Sequence, residues 1–245
     1  MKLQKYKRDS EVSYAMGATL VAELLKTNPV AIRRVFLRPA EKHGEDLEKI
    51  LTNLKLKNIE IIESTKAFNI LGAKDNCLLI AEFAKDIANS YSNVDEGPTR
   101  VILVNPSDSG NLGTIMRSAV AFGYTTLEIV MPGVDPYDPK VIRASMGAVF
   151  HLNIKIVSDI TKLKVDKSCL AFVLDDKAVS LESINAETYH GCPPDLIFGN
   201  EAAGLPKDFC QKTGATPVYI RQSENVDSLN LGVAASIAMH YFSVV

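Results

Sequence analysis

No stretch of this chain comes near the roughly 18 consecutive apolar residues that a bilayer-spanning helix needs, so no membrane partner is expected. The amino terminus, Met1 to Arg8, is basic but has no apolar core behind it, so it does not read as a secretory leader. Four cysteines, Cys77, Cys169, Cys192 and Cys210, stand singly and at no metal-ligand spacing. They read as reduced thiols, which places the chain in the cytoplasm and predicts no metal. Strong net charge is also missing. A formal value of −2 argues against a protein that coats nucleic acid by bulk electrostatics, though not against a local basic patch. Lys2, Lys5, Lys7 and Arg8 form one such group, and Arg33, Arg34 and Arg38 another; a solvated surface is the simpler reading of both.

Several nucleotide and hydrolase signatures are absent as well. A dinucleotide fold wants G-x-G-x-x-G after its first strand, but here Gly110-Asn111-Leu112-Gly113 has no third glycine in place. Gly-Lys-Ser and Gly-Lys-Thr do not occur, which removes the P-loop. There is no G-x-S-x-G nucleophile elbow. His43, His151, His190 and His240 lie far apart without a nucleophile or ligand pattern, and read as structural or surface residues.

What remains is an ordinary globular composition, 47% apolar and 23% charged over 245 residues, enough for one or two domains. Residues 10–26 read as a first helix with Tyr14, Ala18, Val21, Leu24 and Leu25 on its apolar face. Strands are predicted at 34–37, 59–62 and 77–81, with helices at 45–58 and 65–71. Together these make a small α/β domain over residues 1–88. A polar stretch rich in Asn, Ser, Gly and Pro marks a linker at 89–99. Residues 100–245 then alternate apolar strands (101–104, 127–130, 154–157, 170–174, 196–198, 218–220) with helical patterns (114–122, 139–144, 181–188) and close on a helix at 228–241. That alternation predicts a mostly parallel sheet covered by helices.

Three polar clusters follow predicted strands of this second part. Asp108 to Arg117 follows the first strand with an amide, two glycines and a guanidinium. Gly199-Asn200-Glu201 to Gly204 follows another. Asp227-Ser228-Leu229-Asn230 opens the last helix, with Asp227 or Ser228 as its cap. Singly, each is a turn or a cap. Together, at the carboxyl ends of strands, they predict one site.

These residues resemble the SpoU (TrmH-like) family of the SPOUT class of RNA methyltransferases. The likeness rests on Asp108 to Gly113 with Arg117, on Phe198-Gly199-Asn200-Glu201 with Gly204-Leu205, and on Ser228-Leu229-Asn230 with Ala234-Ala235. More weakly, Tyr14-Ala15-Met16-Gly17 with Leu20-Val21 and Glu23-Leu24 is similar to the family's small RNA-recognition domain. The resemblance implies an α/β fold with a trefoil-knotted, mostly parallel-sheet methyltransferase domain behind that small domain. It implies a homodimer and S-adenosylmethionine as cofactor, with methyl transfer to a ribose 2′-hydroxyl of RNA, ribosomal RNA favoured over transfer RNA. By the same resemblance Arg117, Asn111, Glu201, Ser228 and Asn230 are the catalytic set, and Gly199, Ile220, Leu229, Leu174 and Gly204 hold the cofactor. Asn111 is expected to orient Arg117 or the ribose. Two loops depart from the family pattern: Ser109 stands where proline is frequent, and Arg221-Gln222 where Pro-Met is common. An RNA-binding protein that keeps the fold without the chemistry, and a Rossmann-type nucleotide enzyme, are the competing readings.

Overall fold

The computed structural model describes residues 3–40, 42–90, 99–165, 168–189 and 193–243. Its first elements are β1 (Val12–Met16), α1 (Ala18–Thr27), β2 (Ile32–Leu37), α2 (Glu45–Leu56), β3 (Ile61–Glu63), α3 (Thr65–Leu71), β4 (Leu79–Ala84) and α4 (Lys85–Ser90). Then come β5 (Arg100–Val104), α5 (Ser109–Ala121), β6 (Thr126–Val130), α6 (Pro139–Ala144), β7 (Asn153–Val157), β8 (Leu170–Phe172), β9 (Val179–Ser180), β10 (Leu196–Phe198), α7 (Phe209–Thr213), β11 (Thr216–Tyr219) and α8 (Leu231–Tyr241).

Two compact units result: Met1–Asn93 with Asp135–His151, and Val94–Val134 with Leu152–Val245. The first holds a four-stranded sheet in the order β1-β4-β2-β3, in which β4 runs antiparallel to both neighbours. The predicted helix at 10–26 is corrected here. Its first half is β1, paired with β4 from Val12↔Ala84 to Met16↔Ile80. Ser13 and Ala15, which a helix with that apolar stripe would turn to solvent, are fully buried. Gly17 at φ 122 then ends the strand and lets α1 begin. Every residue of β4 is buried, Glu82 included; the guanidinium of Arg34 reaches it through Nε and Nη2, both at 3.0 Å.

The segment Asp135–His151, expected within the second domain, packs into this first unit. Ser13 Oγ donates to the carbonyl of Tyr137 at 2.5 Å, and the Phe83 ring meets those of Tyr137 and Phe150 edge-on. No local sequence signal encodes such a detour, because its partners Ser13 and Phe83 lie far upstream in the chain. The predicted linker begins as α4, and residues 91–98 of it lie outside the described residues, as do Lys2, His190 and Cys192.

The second unit is a seven-stranded sheet in the order β7-β6-β5-β10-β8-β11-β9, parallel at every described pairing. Apolar runs buried on both faces make such strands, as in β5 and β6. At the amino edge Arg100 ties three strands together, with Nε donating to Asp195 at 2.8 Å and Nη1 to Glu128 at 3.1 Å. The chain runs from β5 outward through β6 and β7, then returns to build β8 to β11 on the other side of β5. The order thus reverses between β5 and β10, where an open parallel sheet forms a crevice at its carboxyl ends. Predicted 181–188 is two short 3-10 turns, Leu181–Ser183 and Ala186–Tyr189. The two-residue β9 and five-residue α7 are too short to leave a periodic pattern.

α5 and α8 lie against each other, and α8 packs on β10. Ser118 Oγ and Ser236 Oγ are 2.7 Å apart, and a Cβ on Gly232 would stand 3.3 Å from Thr114. Small residues on α8 permit this close approach.

Candidate functional site

Asp108 caps α5 by accepting the N–H of Asn111 at 2.7 Å. The helix thus starts at Ser109 and not at the expected 114, and Asn111 sits in its first turn, where its side chain is held by the helix. Its Nδ2 donates to Glu201 Oε1 at 3.2 Å, and its Oδ1 accepts from Asn230 Nδ2 at 2.9 Å. Asn230, rather than Asp227 or Ser228, is the residue that caps α8, its Oδ1 accepting the N–H of Val233 at 3.3 Å.

Glu201 is the centre of the cluster. It follows β10 and receives the Ser107 N–H at 2.9 Å, the Ser107 hydroxyl at 2.6 Å and the Asp108 N–H at 3.1 Å, all from the loop after β5. Asn200 Nδ2 adds a longer contact at 3.4 Å. Burial pushes the carboxyl pKa up, but donors from Ser107, its own loop and Asn111 outweigh it and hold the group down at about 2. A carboxylate so fully engaged is a clamp between loops, and a poor proton acceptor.

The loop after β10 folds tightly on itself. Asn200 and Gly204 exchange backbone hydrogen bonds at 3.2 and 2.9 Å, and Asn200 Oδ1 accepts the N–H groups of Ala202 and Ala203. A Cβ on Gly199 would fall 2.2 Å from the Gly204 carbonyl carbon, so only glycine fits there.

Beside this cluster lies a cavity of about 610 Å³ at the carboxyl ends of β8, β10 and β11. Leu174, Gly199, Gly204, Ile220 and Leu229 all line it, as do Glu201 and Ser228. Phe172 and Phe198 stack at its edge, ring centroids 4.6 Å apart. Its size suits a nucleoside-sized ligand. Apolar walls at Leu174, Leu205, Ile220 and Leu229, with bare backbone at Gly199 and Gly204, suit a flat base held by main-chain groups.

The structure therefore joins Asn111, Glu201 and Asn230 directly. The side chains of Arg117 and Ser228 are exposed and hydrogen-bond to no described residue, so Asn111 pairs with Glu201 and Asn230 and not with Arg117. Sequence reasoning missed Ser107, whose partner lies 94 residues away, and Asn105; it named Asn200 in the second cluster but gave it no role, and Asn105 and Asn200 link the loops. Of the second basic group, Arg34 is turned inward to Glu82. Arg38 donates to the carbonyls of Cys77 and Lys74 and lies over the Phe68 ring. Among the described residues no group of three His, Cys, Asp or Glu side chains is placed to hold a metal ion, and no helix is long and apolar enough to cross a membrane.

Residues 98–240 match the family model described as the SpoU rRNA Methylase family. The chain is similar to the ribosomal RNA small subunit methyltransferase G 2 of Syntrophobacter fumaroxidans, at 30% identity over 58% of this chain and 26% of the relative. It is similar to the 23S rRNA (guanosine(2553)-2′-O)-methyltransferase RlmP of Bacillus subtilis, at 29% identity over 92% of this chain and 86% of the relative. The chain thus spans about a quarter of the length of one and most of the other. Among solved structures, the AdoMet-bound rRNA methyltransferase of Sinorhizobium meliloti superposes with a TM-score of 0.73 at 25% identity, over 94% of this chain and 86% of that one.

Proposed function

Because the chain belongs to the SpoU rRNA Methylase family, we propose that it transfers a methyl group from S-adenosylmethionine to a ribose 2′-hydroxyl of structured RNA, with ribosomal RNA the favoured substrate. The observation that carries this is the junction of Asn111, Glu201 and Asn230, from three separate parts of the chain, beside a nucleoside-sized cavity at the carboxyl ends of β8, β10 and β11. The rRNA methyltransferase relatives and the AdoMet-bound neighbour support it.

Gly199, Gly204, Ile220, Leu229 and Leu174 would hold the cofactor, largely through backbone groups and apolar contact. When bound, it supplies a methyl group activated by a sulfonium. The residues of the chain do the positioning, which contributes much of the rate in an in-line displacement. Arg117 is exposed on α5 with no side-chain partner among the described residues, so its guanidinium is placed to bind the RNA phosphate and to stabilise charge developing on the 2′-oxygen. A guanidinium suits an electrostatic role better than that of a base. Asn111 acts as a strut, since both ends of its amide are engaged. Glu201 locks the loop after β5 to the loop after β10, and Ser228 offers a hydroxyl at the cavity wall.

On this reading the chain is cytoplasmic and dimeric, and its carboxyl-terminal segment is knotted. Val120, Val233 and Ile237 are 38%, 46% and 39% exposed on the α5–α8 pair, an apolar face suited to a second copy. Threading of the last segment is supported by α8 packing on both α5 and β10 after the chain has completed β11. The small amino-terminal unit would recognise RNA, with Lys5, Lys7 and Arg8 exposed on it.

Calorimetric titration with S-adenosylmethionine and its demethylated product tests the proposal, followed by transfer of labelled methyl to total ribosomal RNA. Saturable binding of both ligands and alkali-stable 2′-O-methyl dinucleotides are the expected results. A folded protein that binds neither ligand at millimolar concentration overturns the reading.

A further inference from the structure

One residue outside the assigned set ties three strand-end loops together, through its amide side chain and its main chain. Asn105 follows β5 directly and takes φ 54, a left-handed conformation rare for residues with a Cβ and best tolerated by Asn and Asp. Its N–H donates to the carbonyl of Val130 at 3.0 Å, and its Nδ2 donates to that of Pro132 at 3.0 Å. Both acceptors belong to the end of β6 and the turn after it. Its own carbonyl accepts from Asn200 Nδ2 at 2.8 Å, which belongs to the loop after β10.

The left-handed turn has a geometric consequence. A residue in extended conformation at 105 would carry the chain on along the strand direction. Instead the backbone turns back, Pro106 accepts the N–H of Val134 at 2.8 Å, and the N–H groups of Ser107 and Asp108 come to face Glu201. Neither of these amides is in a helix or strand, and both residues are exposed. Their only described acceptor is the Glu201 carboxylate, so their order depends on where residue 105 sends the chain.

We propose that Asn105 is a positioning residue for the transfer. Its left-handed backbone and its amide hold residues 105–108 on Glu201, and through Glu201 they fix Asn111 and Asn230. The kinetic half of this proposal rests on the methyltransferase reading; the coupling of the loops does not.

The substitutions separate backbone from side chain. Asn105→Gly keeps φ 54 at no steric cost and deletes the amide. Asn105→Asp keeps the left-handed preference and replaces the donor with an acceptor that repels the Pro132 carbonyl. Asn105→Ala loses the amide and is strained as well. Hydrogen exchange of individual amides in the ligand-free protein reports the coupling, and kcat, KM for total ribosomal RNA and cofactor Kd report its use.

In Asn105→Gly, exchange at Ser107 and Asp108 should quicken about tenfold, the scale of one lost hydrogen bond, while the amides of Val101 to Val104 keep their protection. kcat should fall about tenfold with KM and cofactor Kd within about twofold of the starting protein. Asn105→Asp should behave alike, and Asn105→Ala worse. Unchanged exchange at 107 and 108 overturns the coupling. A uniform loss of protection through β5 with unchanged kcat reduces Asn105 to a stabilising residue and overturns the positioning role. If the starting protein methylates no RNA, the methyltransferase reading falls and the kinetic half with it, while the exchange result still decides the coupling.

Discussion

Asn230 Nδ2 lies 2.9 Å from Asn111 Oδ1 and donates to it, joining the cap of the last helix to the first turn of a helix 119 residues earlier. Asn111 in turn donates to Glu201. The two amides therefore point the same way along a relay that ends on a carboxylate, so each hydrogen bond polarises the next. Removing the charge at the end should be felt along the whole relay.

Glu201→Gln tests this by pH. The folded-state pKa of Glu201 lies near 2, below its ordinary 4.5. A depressed carboxyl contributes stability that is complete above the ordinary value and is lost as pH falls from about 4.5 through about 2. The variant should lose about 1–2 kcal/mol at pH 7 and show a flatter acid limb, since glutamine does not titrate. Denaturant melts between pH 2 and 7 measure both; parallel curves for the two proteins would contradict the clamp.

Arg117→Ala should fold and bind cofactor as before, because the side chain is exposed and hydrogen-bonds to no described residue. Methyl transfer should fall by about 10²- to 10³-fold, the loss seen when one preorganised donor to a developing oxyanion is removed. Calorimetry and single-turnover transfer together decide it. Retained turnover would leave Arg117 without a role.

Gly199→Ala puts a Cβ 2.2 Å from the Gly204 carbonyl carbon and 2.3 Å from the Leu205 nitrogen, both backbone atoms. The loop must open, breaking the Asn200–Gly204 pair. A loss of about 1–3 kcal/mol of stability and a cofactor affinity at least about tenfold weaker are expected. Thermal melts with and without the demethylated cofactor check this: the variant should show much less stabilisation by ligand.

Ile237→Glu places a charge on the apolar α5–α8 face, where Ile237 is 39% exposed. Sedimentation should show a dimer for the parent chain and a monomer, or an association at least about a hundredfold weaker, for the variant. A parent chain that is monomeric at micromolar concentration would remove the dimer from the proposal.

The strands of the second unit were legible because parallel strands buried on both faces read as short apolar runs between polar turns, as at Val101 to Val104. The residues of the site were legible as polar clusters after such strands, but their wiring was not. Asp227, Ser228 and Asn230 are all sound caps, and only the meeting of Asn230 with Val233 and Asn111 selects one of them. The helix read at 10–26 shows the opposite failure. Tyr14, Ala18 and Val21 keep a helical spacing, yet pairing with β4 decides that Val12 to Met16 are strand. The role of Glu201 as a clamp depends on Ser107, 94 residues away, which no local pattern reveals.

Asp135–His151 belongs to the first unit although it is encoded in the middle of the second. Neither unit is therefore a cassette that can be cut out at a single boundary. A fragment starting near residue 100 would carry this segment without its cover, leaving Tyr137, Val141, Ile142 and Phe150, all buried in the whole chain, to face water. The complementary fragment, 1–90, would lack the rings that meet Phe83. Modular exchange of the amino-terminal unit between relatives would succeed only if residues 135–151 travelled with it, so the two stretches should vary together in evolution as though they were adjacent.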